Sequence, residues 1–112
     1  MPELIDVIVI PPDQPLYTYR VENSLKPLQQ IVGGLIERVP WQVEGVVYDV
    51  ICHEEGLLVN DPVMNPFFPQ LAGTVFITKP NLETGEWVTL SIDDQVRLMA
   101  VLRGIKRRRL TS

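Results

Sequence analysis

Two neighbouring residues, Cys52 and His53, are the one nucleophile and base pair the chain offers, because it holds a single cysteine and a single histidine. They lie in the apolar run VVYDVICH (46–53), which reads as a strand. Adjacent side chains on a strand point to opposite faces, so the pair forms no dyad unless the strand is bulged. His53, Glu54 and Glu55 stand together, but they lack the spacing of a metal site and would need ligands from the following loop. Glu37 and Asp49 with Glu54 and Glu55 supply carboxylates on neighbouring elements, a pattern that suits acid/base work or simply a solvated sheet face and a charged turn. No phosphate loop, dinucleotide fingerprint or Gly-x-Ser-x-Gly is present. No catalytic residue, metal ligand or cofactor is therefore assigned.

Two further segments carry binding chemistry. The loop NDPVMNPFFP (60–69) sets the amides Asn60 and Asn65 beside Phe67 and Phe68, an apolar wall with a few polar groups. With His53, Glu54 and Glu55 it forms the expected ligand- or partner-binding region, although two inward-packing phenylalanines would equally seal the core. Near the C-terminus, Arg103, Arg107 and Arg108 are candidates for holding an anion; a basic helix end also complements the helix dipole without any ligand.

Those residues need a scaffold. LIDVIVI (4–10) reads as a strand ended by Pro11-Pro12, and LYTYRVE (16–22) alternates as its hairpin partner. Ser24 offers an N-cap, and Leu25, Leu28, Ile31 and Val32 form one apolar face of a short helix. Gly33-Gly34 stops it, and LIERV (35–39) reads as a short strand ended at Pro40-Trp41. Gly56 is expected to supply positive φ in the turn after the 46–53 strand, with Leu57-Leu58-Val59 returning briefly as strand. GTVFIT (73–78) and EWVTL (86–90) read as another hairpin. The last helix starts at Ser91 with Asp93 and Asp94 at its positive end. Val96, Met99 and Ala100 form one apolar stripe, and Leu98, Val101, Leu102 and Ile105 an adjoining one; Asp93 and Arg97 have i,i+4 spacing. The expected fold is α+β: a mixed, mainly antiparallel sheet with a short helix (24–33) and a longer C-terminal helix (91–108) packed on one face. The whole of 1–112 is one small domain, with 103–112 as its basic helix end.

Charge limits the partners. Residues 103–112 carry five basic side chains and no acid, whereas the other 102 residues carry five basic and fourteen acidic ones, so the body is −9 and the tail +5. An acidic body repels nucleic acid except through that tail. One cysteine leaves no disulfide framework, residues 1–20 show no signal-peptide pattern, and no apolar run is long enough for a membrane span, so a cytoplasmic, non-membrane protein is expected. Exposed edge strands in so small a sheet admit a homodimer.

SLKPLQQIVGGLIERV, followed by VVYDVICHEEGLL, NDPVMNP and LAGTVFI, resembles a family of small bacterial, phage and plasmid domains catalogued as domain of unknown function 3846. The resemblance rests on Leu28, Gln29, Val32, Gly33, Gly34, Ile36 and Glu37, then on Glu54, Glu55, Gly56, Leu58, Pro62, Asn65 and Gly73, across residues 16–80. His53 stands where the family pattern has Asn. The resemblance implies a small accessory domain of mobile elements and no particular activity. Three functions remain open from the sequence: a non-enzymatic binding domain acting through a protein partner, a protein that binds or sequesters a small anionic ligand or nucleotide, and a small enzyme using carboxylates or His53.

Overall fold

A computed structural model describes residues 3–58 and 61–111, the side chains of 106–111 excepted. Strands β1 (Leu4–Ile10) and β2 (Tyr17–Glu22) precede helix α1 (Leu25–Val32). Strands β3 (Ile36–Val43) and β4 (Val46–His53) come next, then β5 (Val75–Pro80), the short β6 (Trp87–Val88) and helix α2 (Ile92–Thr111). All pairings are antiparallel, in the order β2-β1-β5-β4-β3, with β6 on β5. The α+β fold is the expected one.

Strand alternation sorts the core into two layers. Ile8 and Ile10 of β1, Tyr48, Val50 and Cys52 of β4 and Ile77 of β5 pack with Leu98 and Leu102 of α2. Val7 and Val9, Ile51 and Phe76 point the other way and pack with Leu28 of α1. The helices thus take opposite faces of the sheet rather than sharing one. Central strands β1, β4 and β5 are apolar in both directions and need a cover on each side.

Several boundaries moved for identifiable reasons. β3 runs through Pro40-Trp41 to Val43, because β3 is an edge strand and a missing amide there costs no ladder bond. Glu44 and Gly45, both at positive φ (50° and 82°), then close a two-residue hairpin to β4. Gly56 is not at positive φ; it opens a single 3₁₀ turn (Gly56–Leu58) that takes in Leu57 and Leu58, and Val59, the third residue of the strand expected there, lies outside the described residues. Ser24 precedes α1 in extended conformation, but its hydroxyl makes no capping bond.

The Gly33-Gly34 joint divides its labour. Gly33 ends α1 in the left-handed region at φ 90°, with its N–H on the Gln29 carbonyl. Gly34 lies against the imidazole of His53, and a Cβ there would collide with the ring.

Candidate functional site

Cys52 and His53 project to opposite faces, as an unbulged strand requires. The Cys52 thiol is buried, 3.8 Å from the Glu37 carbonyl and 4.0 Å from its carboxylate. Burial, and then the Glu37 charge, push its pKa up and keep it a thiol. His53 accepts the Glu55 N–H at Nδ1 (2.9 Å), which leaves the neutral ring's proton on Nε2. Glu54 and Glu55 are exposed in the turn, where the Glu54 N–H is held by the Leu35 carbonyl at 2.7 Å. Among the described residues no group of three or more His, Cys, Asp or Glu side chains is placed to hold a metal.

Asn65 is 1% exposed and wholly engaged inside the protein. Its Nδ2 donates to the carbonyls of Ile10 and Gly73, both at 3.0 Å, and its Oδ1 accepts from the amides of Phe67 (3.0 Å) and Phe68 (3.3 Å). Two donors and two acceptors fill the amide's capacity. Phe67 and Phe68 are half-buried against the α2-side core, with Phe68 edge-on to Trp41 at 5.1 Å between ring centres. Gly56 abuts Ala72, so this loop and the His53–Glu55 turn meet at one end of the sheet. Asn60 lies outside the described residues. Arg103 is exposed on α2; Arg107 and Arg108 lie on the same helix, their side chains outside the description.

The densest polar geometry lies where α2 begins. Asp94, 2% exposed, receives the Tyr48 hydroxyl at 2.7 Å. It also receives the Ser91 amide (3.0 Å) and hydroxyl (2.9 Å), Arg97 (3.2 Å) and Lys79 (3.3 Å). The Ser91 hydroxyl accepts the Asp94 N–H at 3.0 Å, so Ser-x-x-Asp closes a reciprocal capping box with Asp in the usual Glu position. Arg97 donates to the Tyr48 hydroxyl (2.9 Å) and reaches Glu44 in the β3–β4 turn (3.3 Å). Burial pushes the Asp94 carboxyl up, but the hydrogen bonds from Tyr48 and Ser91 and the Lys79 charge outweigh it, and its pKa falls to about 2. Burial, and then the bond to Asp94, raise Tyr48 above its ordinary 10.0. The expected Asp93–Arg97 pair is replaced by Asp94–Arg97, because Asp94 is buried beside Tyr48 while Asp93 faces solvent.

On the opposite face, buried Asp49 accepts the Trp87 indole N–H (2.9 Å) and pairs loosely with Arg38 (3.8 Å). Arg38 and Trp87, with Glu3, Asn23, Gly85 and Glu86, line an open cleft of about 440 Å³.

The polar cluster decides which stripe of α2 turns inward. Leu98 and Leu102 follow Asp94 at one and two helical turns and are fully buried. The adjoining positions are left outside: Ile92 is 73% and Val96 65% exposed. With Gln95, Met99, Ala100 and Arg103 they line a groove of about 380 Å³ along the flank of α2. Gln95 is held by the Leu90 carbonyl (3.1 Å) and meets the Thr18 hydroxyl at 3.4 Å, so the Gln95 edge of the groove borders β2.

A model for a domain of unknown function, DUF3846, matches residues 5–103, which extends the resemblance through β1 and into α2 as far as Arg103. No curated protein and no solved structure matches.

Proposed function

This chain belongs to the DUF3846 family, a domain of unknown function, and we propose that it is a non-enzymatic binding domain that docks a protein partner on the outer flank of α2. The observation that carries the reading is the pair Ile92 and Val96, large apolar side chains mostly exposed on a helix that is otherwise well anchored. Single exposed apolar residues are ordinary. Here they recur with Met99 and Ala100 at helical spacing on one flank, the pattern by which a helix meets a partner. The Asp94 cluster fixes the helix in rotation and height, so the flank is presented already ordered, which lowers the entropic cost of docking.

The ionisable groups support binding over catalysis. Asp94 is committed to Tyr48, Ser91, Arg97 and Lys79, the Cys52 thiol is buried, and Nδ1 of His53 is taken by a backbone amide. The saturated Asn65 amide supports the 61–69 segment as a seal on the core rather than a ligand pocket. The proposal includes an accessory role on mobile elements and a cytoplasmic setting, where the reduced Cys52 thiol is at home. No helix among the described residues is long and apolar enough to cross a membrane.

The test is a photo-reactive amino acid placed at Val96 in the full chain, expressed in its native cells, with Glu83 in the exposed β5–β6 turn as control. The expected result is a discrete protein adduct from position 96 and none from position 83. Equal labelling from both positions, or none from 96, overturns the reading.

A further inference from the structure

We propose that the occupant of the α2 flank is a second copy of this chain, paired helix to helix and antiparallel about a two-fold axis. The inference rests on the reading of that flank as a docking surface and names its partner. The flank has the room. Thr18 and Arg20 of β2 lie on the α2 side of the sheet, since Thr18 meets Gln95 and Arg20 pairs with Asp6 beside Ile8; both are exposed. The β2 margin beside α2 is therefore uncovered. In the second copy, as in this one, β1, β4 and β5 cover the inner face of α2, so its helix meets this flank with its own sheet turned away from β2, at the usual interaxial distance of about 8–10 Å.

Charge selects the occupant and its direction. The flank runs Ile92, Gln95, Val96, Met99, Ala100, Arg103, with exposed Asp93 beside its first residue. An antiparallel copy sets Val96 against Met99 of the other copy, Gln95 against its Ala100, and Ile92 against its Arg103. Arg103 then comes within a helical turn of Asp93 of the other copy, twice by symmetry. A parallel arrangement would set Arg103 on Arg103. Antiparallel packing also opposes the two helix dipoles favourably. The β3 edge suits a partner less well: it carries Pro40 in mid-strand and exposed Glu37 and Arg38, features that blunt edge pairing.

Sedimentation equilibrium of the full chain from about 1 to about 300 μM reads the association directly. The wild type is expected to sediment as a dimer at the upper end. Val96→Glu, a buried unpaired charge in the assembly, is expected to weaken association by at least about 100-fold. Its melting temperature, measured at low concentration, should be unchanged because Val96 is exposed in the single chain. Ile92→Glu serves the same purpose if Val96→Glu melts early. Arg103→Glu should weaken the dimer about tenfold, and Asp93→Arg added to it should restore association. A wild type that stays monomeric throughout, a glutamate variant as dimeric as wild type, or no restoration by the double charge reversal overturns the proposal. The crosslink at Val96 separates the two levels: an adduct to a different protein from a monomeric chain overturns the second copy and leaves the docking flank standing, whereas no adduct and no dimer overturn both.

Discussion

Asp94 is where three separate stretches of chain meet through hydrogen bonds: Tyr48 from β4, Lys79 from β5, and Ser91 with Arg97 at the start of α2. Removing one partner of a buried charge strands the other, and the loss exceeds the modest net value of the bond itself. Tyr48→Phe deletes the hydroxyl that bridges Asp94 and Arg97 while keeping the ring in the core. The expected cost is about 1–3 kcal/mol, read as a lower urea midpoint with an unchanged denaturant slope. Asp94→Ala should cost more, since it also undoes the α2 cap and leaves Tyr48 without its acceptor. A midpoint for Tyr48→Phe equal to wild type would mean the cluster does not anchor the helix. Sequence reading reached only the local half of this arrangement. Ser91 and the acidic first turn were visible as a cap because capping acts within four residues. The pairing of Asp94 with Tyr48 crosses 46 positions and depends on which strand lies under the helix, which no spacing encodes.

Elements were legible where their signal is periodic and local, and obscure where it depends on a neighbour. The α1 stripe and the two hairpins follow from alternation and turn chemistry. The passage of β3 through Pro40 does not, because a proline is harmless only on an edge, and edge position is a property of the whole sheet. The Gly33-Gly34 joint shows both kinds. Gly33 answers a local demand, a left-handed helix end, and Gly33→Ala should cost about 1 kcal/mol in strain alone. Gly34 answers a distant one, the His53 ring packed across it. Gly34→Ala is therefore expected to displace the His53 ring and to destabilise, and His53→Ala added to Gly34→Ala should recover part of the loss by removing the obstacle. Additive losses in thermal melts of the double variant would refute the contact. The 61–73 loop follows the same logic. Its sequence reads as a loop whose phenylalanines could seal the core, but only the assembled fold shows Asn65 joining the end of β1 to Gly73. Asn65→Ala removes four bonds from a buried position and should raise backbone hydrogen exchange through Phe67 and Phe68 well before the central strands respond.

At the scale of the whole molecule, the same hydrogen bond bounds the stable pH range on both sides. Asp94 has a folded pKa of about 2 against an ordinary 3.8, so its ionised form is favoured by folding. Its contribution is fully present above the unfolded value and is lost as pH falls from about 4 through about 2, amounting to about 2 kcal/mol. Tyr48 shifts the other way: its folded pKa is raised above 10.0, so its contribution is present below that value and lost as pH rises through the folded one. The chain carries fourteen acidic side chains, so a single acid-unfolding curve does not isolate Asp94. The difference between wild type and Asp94→Asn does. Urea midpoints measured from about pH 2 to about pH 7 should show the two proteins furthest apart at neutral pH and converging as the solution becomes acidic, because the variant has no charge left to lose there. On the alkaline side, a tyrosine-ionisation titration should show one group titrating above the ordinary 10.0 in wild type, and the same group earlier once Asp94 is replaced, since one of the causes that raise it has gone. A constant gap between wild type and Asp94→Asn down to pH 2 would mean that Asp94 is not held ionised in the fold, and α2 would then have to be anchored by its apolar contacts alone.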